Sequence, residues 1–345
     1  MKQVDFIIVG QGIAGTLLAH DLDDRHQSLA IIDTPLPATS SRVAAGLINP
    51  VGMKRCIPSE NAATYLPFAF ERYCALQQKL GQSFFYPMPI IRLFANEQQR
   101  HQWQIKFSNS NMDRYIKEIT MKAEYAPLND GFGSAKISPS ARLDVNKWLR
   151  VSRDYFTNKH LVLEERFDFS QCDVENANYK GISAKHILFC EGHHLKSNPF
   201  FSHLPLSPTK GEVMTICIPS IEQFEGMVSK GVYLIPKGSH EFLVGATYEH
   251  SDFTERLTEE ARRYLVRQLR RMLTVDFEII DRSAGVRPTV KHRKPLVGLH
   301  ALHPKIGVFN GLGTRGLLQG PYLSANFSNQ LIRTEKNNKE LIING

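Results

Sequence analysis

Val4-Asp5-Phe6-Ile7-Ile8-Val9-Gly10-Gln11-Gly12-Ile13-Ala14-Gly15, followed a turn of chain later by Ser28-Leu29-Ala30-Ile31-Ile32-Asp33, decides how this sequence is read. Residues 4–10 are a short apolar run ending in glycine, the pattern of a strand buried on both faces. Residues 13–24 carry apolar side chains at helical spacing, and residues 28–33 repeat the strand pattern. Strand, helix and strand in this order make one βαβ unit, which implies parallel strands and a right-handed crossover. The turn spells G-x-G-x-x-G, and Asp33 closes the second strand. In that setting Gly10 makes the tight turn, Gly12 lets backbone approach a pyrophosphate, and Gly15 lets helix pack on strand. Gln11, Ile13 and Ala14 fill the turn, and the helix start offers free N–H groups and a positive dipole end to phosphates. Asp33 can accept hydrogen bonds from ribose hydroxyls. No Lys or Arg immediately follows it, so a 2′-phosphate would be poorly received.

Beyond Asp33 the pattern changes. Residues 34–52 are rich in Thr, Pro, Ser, Gly and Ala, with no third strand-helix repeat of the kind an NAD domain continues with. Small residues in Ser40–Pro50 would let a bulky flat group lie against the backbone, with Ser40, Ser41 and Arg42 placed for phosphates or ribityl hydroxyls; a plain flexible loop fits the same residues. Helices are expected near 61–80, ended by Gly81, and over 97–107 and 144–158. Strand-like stretches cover 84–94, 161–166 and 186–190, the last ending at Glu191-Gly192. From 211 to 247 apolar positions alternate between short polar turns, an antiparallel texture. A helix beginning at Thr258-Glu259-Glu260 carries Arg262, Arg263, Arg267, Arg270 and Arg271, acid at its start and base at its end. The chain then returns to a strand at 307–310, a glycine-rich turn at 311–316, a helix over 317–332 and a polar tail.

This alternation implies an α/β protein of two units that the chain crosses between more than once. The first is a Rossmann-type unit with a parallel sheet, from residues 1–83, 141–206 and 284–345. The second is an α+β unit with a large antiparallel sheet, from 84–140 and 207–283.

With 345 residues, 42% of them apolar and 22% charged, the chain can bury two cores, and general disorder is excluded. No window reaches the roughly 18 apolar residues of a membrane helix, and the start does not read as a signal peptide. The net charge of +8 is scattered, with no basic run, so the arginine helix reads as a solvated face rather than a polyanion site. Cys56, Cys74, Cys172, Cys190 and Cys217 are far apart and odd in number, which suits a reducing compartment, the cytoplasm, rather than a disulfide framework. No metal spacing occurs among the histidines, so no metal site is expected. The adjacent His193 and His194 would point apart on a strand or helix, so they read as loop residues.

The sequence resembles the D-amino acid oxidase family of FAD-dependent oxidoreductases, and within it the glycine oxidase-like group. The residues that carry the likeness are Gly10 to Asp33, Ser40 to Pro50, Ala284-Gly285-Val286-Arg287-Pro288, and Asn310-Gly311-Leu312-Gly313-Thr314-Arg315-Gly316-Leu317-Leu318. The likeness spans nearly the whole chain and thins across 82–140.

The resemblance implies non-covalent FAD, since no cysteine follows Cys217. It assigns the ADP half to Gly10, Gly12, Ile13, Ala14, Gly15 and Asp33. Ser41, Arg42, Ala45 and Gly46 would line the pyrophosphate and flavin edge, and Val162 would offer backbone to the adenine. Glu191-Gly192 matches a small-residue turn in which many relatives have alanine at Glu191. Gly313, Thr314, Gly316 and Leu317 open a helix toward the flavin's developing negative charge. Arg287 is the expected carboxylate partner, its planar fork matching two parallel hydrogen bonds; Arg315, Tyr233 and Tyr248 are further candidates near the substrate. Lys210-Gly211-Glu212 stands where relatives often have Arg-Gly-Gln.

The implied reaction is hydride transfer from the α-carbon of a small carboxylate-bearing amine or amino acid to flavin N5, with oxygen or a quinone as final acceptor. The alternatives are a 2-hydroxy acid or polyol phosphate, a tRNA-borne amine (the nucleic-acid partner +8 would favour), or a nucleotide-binding regulatory module without turnover.

Overall fold

The computed structural model describes residues 2–34, 39–109, 111–121, 125–222, 224–333 and 342–343. Most of the polar tail, 334–341 and 344–345, lies outside the described residues.

The central sheet has six strands in the order Leu161–Leu163, Leu29–Ile32, Phe6–Val9, His186–Phe189, Ile306–Asn310 and Leu296–Leu299. All neighbours are parallel except the last pair. Phe6–Val9 and Leu29–Ile32 are buried at every position, which is why they read as unbroken apolar runs. On one face pack the helices Ile13–Asp23, Val145–Lys159 and Gly316–Arg333, through Leu18, Leu22, Phe156, Phe327 and Leu331. On the other, Ile7, Val9 and Phe189 meet Phe167 and Tyr179. The strand expected over 161–166 stops at Leu163. Glu165 leaves the sheet to pair with Lys180 at 2.9 Å, and Arg166 turns to the cavity described below.

The second sheet has eight strands, ordered Glu278–Arg287, Thr209–Cys217, Glu241–Gly245, Val232–Gly238, Met227–Lys230, Ile90–Leu93, Ser134–Ile137 and Ile116–Thr120. It is antiparallel except where Met227–Lys230 runs parallel to Ile90–Leu93. The aromatic stretch 84–94 is therefore two strands. Phe85–Pro87 pairs with Ala141–Leu143 in a separate three-stranded sheet, and Ile90–Leu93 joins the large one. The break falls at Met88-Pro89, where proline has no N–H for a ladder and its carbonyl instead accepts from Met227 N at 2.9 Å.

Helix ends follow the residues that cap them. Gly81 ends Ala62–Leu80 at φ +62°, a left-handed conformation that costs glycine little. Thr258 Oγ1 accepts from Ala261 N at 3.2 Å to open Glu259–Met272. That helix lays Leu265, Leu269 and Met272 on the outer face of the large sheet and leaves its arginines in solvent. The opposite face of the sheet looks back at the central sheet across the cavity.

Candidate active site

A cavity of about 600 Å³ lies at the carboxyl ends of the central strands and under the large sheet, where open α/β sheets bind ligands. Its first wall is backbone. Gly10, Gly12, Ile13, Ala14 and Asp33 line it from the βαβ unit, Ser41, Ala45 and Gly46 from the segment after it, and Glu191 and Gly192 from the turn after His186–Phe189. Gly313, Thr314, Gly316 and Leu317 line it from the C-terminal turn, and Tyr233, Tyr248 and Arg287 from the large sheet.

Four expected site residues lie outside this wall. Gly15 sits between helix and strand, where a Cβ would fall 1.8 Å from Gly10 O. Arg42 is exposed, and its carbonyl accepts from Asn146 Nδ2 at 2.9 Å. Val162 pairs with Ile31 and packs toward Phe6 and Ile8. Arg315 stands beside Gly52, whose Cβ, if present, would lie 4.0 Å from Nη2.

At the end formed by the βαβ unit, Asp33 Oδ1 accepts from Gln11 N at 2.9 Å, and Arg153 Nη2 approaches Oδ2 at 3.3 Å. Arg153 Nη1 also donates to Gln11 Oε1 at 2.7 Å. Burial pushes the Asp33 carboxyl up, while the Gln11 amide and Arg153 pull it back. Sequence reasoning missed Arg153, since it reaches Asp33 from a helix far along the chain. Gly12 makes no side-chain cap for helix Ile13–Asp23; instead Ser41 Oγ accepts from Ile13 N at 3.1 Å. A Cβ on Gly12 would lie 2.8 Å from that hydroxyl.

Beside this end, the turn after Phe189 carries charge. Burial pushes the Glu191 carboxyl up to about 7, although Asn198 Nδ2 donates to it at 2.7 Å and Arg166 lies within electrostatic reach. His193 and His194 lie in a short turn rather than on a strand or an α-helix. The 3₁₀ turn Gly192–Ser197, entered with Gly192 at φ +60°, brings their ring centroids to 4.1 Å, and both line the cavity. Burial, then the neighbouring ring, lowers His193 to about 4.

At the other end Gly311 and Gly313 take φ of +71° and +56°, and the turn leads into helix Gly316–Arg333. Facing it is Arg287. Its Nη1 donates to Lys210 O at 3.4 Å and Thr247 O at 3.3 Å, and its guanidinium lies 4.8 Å from the Tyr248 ring centre. Burial lowers its proton affinity, and among the described residues no carboxylate offsets that cost. The guanidinium lies flat on Gly211, where a Cβ would meet Nη2 at 2.1 Å.

This explains Lys210-Gly211-Glu212. Alternate residues of a strand point to opposite faces, so Gly211 faces the cavity while Lys210 and Glu212 face away. Lys210 Nζ pairs with Asp252 at 2.5 Å, and Glu212 accepts from Thr258 Oγ1 at 2.7 Å and from Arg282 at 3.4 Å. The added charges fasten the 249–258 segment behind the sheet.

Bare backbone beside a helix start, an acid at one end and a second glycine turn at the other suit a long, flat dinucleotide with a phosphate bridge. The chain matches the DAO family, described as FAD dependent oxidoreductase, over residues 5–327. It belongs to that family. A glycine oxidase of Bacillus subtilis is 22% identical to it, over 97% of this chain and 95% of that protein. The tRNA 5-methylaminomethyl-2-thiouridine biosynthesis bifunctional protein MnmC of Marinobacter nauticus is 23% identical over 92% of this chain, which spans 54% of that protein. Among solved structures, glycine oxidase from Geobacillus kaustophilus shares the fold with a TM-score of 0.79 at 19% identity, covering 98% of this chain and 96% of that one. The protein is an FAD-dependent oxidoreductase of the DAO family. No helix among its described residues is long and apolar enough to cross a membrane.

Proposed function

We propose that this flavoenzyme oxidises a small amine or amino acid that carries a carboxylate. The observation behind this reading is Arg287, a buried guanidinium on the cavity wall with no acid partner among the described residues. A substrate carboxylate would replace its two long carbonyl contacts with a charge-assisted fork. The α-carbon would then be held between the large sheet and the turn Gly313–Leu317, an orientation that lowers the entropic part of the barrier.

FAD held here would supply a two-electron acceptor for the hydride of the substrate α-carbon. On this reading Gly10, Gly12, Ile13 and Ala14 hold the diphosphate with Ser41, and Gly15 keeps their helix on the strand. Asp33 takes the ribose, its second oxygen steadied by Arg153. Ala45, Gly46, Gly313, Thr314, Gly316 and Leu317, which line the cavity, would flank the flavin ring, and Tyr233 and Tyr248 would shield the substrate from water. The amine reacts as the neutral base, and the imine product hydrolyses, so no acid-base dyad is required. The FAD-binding unit is assigned to 1–83, 141–206 and 284–345 and the substrate unit to 84–140 and 207–283. The free state of Cys56, Cys74, Cys172, Cys190 and Cys217 supports a cytoplasmic setting.

Anaerobic mixing of the purified yellow protein with glycine, sarcosine, D-alanine and a set of 2-hydroxy acids tests this. Bleaching of the flavin by amines alone is expected. Bleaching by hydroxy acids alone would replace the amine with an alcohol donor, and a colourless protein that retains ADP would leave a binding module.

A further inference from the structure

The cavity wall at the ends of the central strands is mostly backbone, yet strand His186–Phe189 runs out into a carboxylic acid, Glu191, which lines it. The central sheet puts that acid beside the glycine turn. Cys190 N donates to Val9 O at 2.7 Å, and a Cβ on Gly10 would lie 2.7 Å from Cys190 O and 3.5 Å from Glu191 Cα. Glu191 therefore adjoins the residues on which the ADP half of FAD would lie.

The carboxyl is held in one orientation. Asn198 is fully buried, and its Oδ1 accepts from Phe200 N at 2.9 Å and Phe201 N at 3.2 Å. Two backbone donors settle which end of the amide is oxygen, so Nδ2 must face Glu191, and it donates to Oε2 at 2.7 Å. Oε1 has no hydrogen-bond partner among the described residues. With Oε2 committed as an acceptor, a proton taken up by this carboxyl sits on Oε1, the oxygen left for a ligand. The charged and titratable groups around it are Arg166, Cys190, His193 and His194; the glycine turn adds none. Among the described residues Arg166 forms no ion pair with it. Burial lowers both imidazoles and pushes the Cys190 thiol up, so none of the three offsets a carboxylate at neutral pH. An ionised Glu191 would share the cavity with a negatively charged diphosphate and have no ion-pair partner of its own, which favours the neutral acid.

We propose that Glu191 is a cofactor-binding acid: it is protonated in the complex, donates from Oε1 to an acceptor on the ADP half of FAD, and so couples retention of FAD to pH. This rests on the placement of the ADP half given above and is independent of the substrate. Above neutral pH the protein takes one proton from solvent when FAD binds and returns it when FAD leaves. Burial already pushes the carboxyl up to about 7 in the empty cavity, so the exchange falls in the range in which the protein works.

Dilution of the FAD-loaded protein into buffers from pH 6.5 to 8.5, followed by the rise in flavin fluorescence as FAD is released, tests this without turnover. The dissociation constant should rise about twentyfold across that range, because above about 7 the free protein loses a proton that the complex keeps. Glu191→Gln keeps the acceptor for Asn198 and presents an N–H where the acid presents its O–H. It and Glu191→Ala should each flatten the rise to less than about threefold, and Glu191→Gln should hold FAD more tightly than the unaltered protein at pH 8.5. A constant that stays flat in the unaltered protein, or a rise that persists in both variants, would overturn the proposal. The inhibition constant of ADP, read from its displacement of FAD, should rise in parallel; a rise with FAD alone would place the acid away from the ADP half and overturn the proposal as well. Gly12→Val sets a branched side chain against Ser41 Oγ and should weaken FAD and ADP alike at every pH. ADP bound as tightly as before by that variant would count against the placement of the ADP half, a failure distinct from a flat pH profile.

Discussion

Where the cavity passes beneath the central sheet its wall is backbone; where it passes beneath the eight-stranded sheet its wall is side chain. In the first half the sequence is constrained by what cannot be added. Cβ atoms on Gly10, Gly12 and Gly15 would fall 2.7, 2.8 and 1.8 Å from existing atoms. In the second half it is constrained by what cannot be removed, since Arg287 is charged and the surrounding wall offers no substitute. On the assignment proposed above, the comparison teaches that a cofactor-binding surface can be specified by exclusion and a substrate-binding surface by chemistry, within one continuous cavity.

Gly15→Ala should break the first half outright. The clash is with backbone that has nowhere to move, so the expected result is loss of folded, FAD-loaded protein, read from far-ultraviolet circular dichroism and from flavin content. A stable yellow variant would show that the helix can lift from its strand.

Side chains also enter the backbone half, and Glu191 among them is an acid that burial raises from 4.5 to about 7. In the FAD-free protein, below pH 4.5 both folded and unfolded chains are protonated there and the group is neutral in effect. Between 4.5 and about 7 the unfolded chain ionises first, so stability falls with rising pH. Above about 7 the loss is complete, roughly 3 kcal/mol. Glu191→Gln keeps the acceptor for Asn198 and removes the charge. Its gain in unfolding temperature should be large at pH 8 and small at pH 5; an equal gain at both would show that ionisation is not the cause.

In the side-chain half, Arg287→Gln should leave folding and flavin content intact and raise KM for a carboxylate substrate about 100-fold, or about 2.7 kcal/mol, as expected for loss of a buried charge pair. Unchanged steady-state kinetics would remove Arg287 from the substrate site.

Gly211→Ala tests whether the two rules meet. Here a glycine serves a side chain, and the atom it would strike is the tip of Arg287, which can swing aside. The expected effect is about tenfold on KM, about 1.4 kcal/mol, with the fold retained. An effect as severe as that of Gly15→Ala would show that this wall too is rigid.

What the sequence reveals divides along the same line. The βαβ unit from Phe6 to Ile32, the Gly81 stop and the Thr258 start were legible, because strand burial, turn geometry and capping are written in neighbouring residues. Long-range partners were not. Arg153 meets Asp33, and Arg92 meets Ser229, only because the sheets bring distant segments together. The pairing of the His193 and His194 rings depended on a 3₁₀ turn that residue types do not announce. The 84–94 stretch read as one strand because its alternation runs on across Met88-Pro89, while the division into two sheets depends on partners at Ala141–Leu143 and Met227–Lys230.

The place of Ile306–Asn310 in the central sheet, between His186–Phe189 and Leu296–Leu299, bears on how the holoenzyme is born. During translation the earlier strands emerge first, with His186–Phe189 an open hydrogen-bonding edge until its neighbour arrives. The glycine turn that follows Asn310 emerges later still, so one wall of the cavity does not exist until then. If that turn holds the flavin as proposed, its capture would follow synthesis of the segment, and a ribosome stalled before Ile306 would hold an intermediate with an open strand edge.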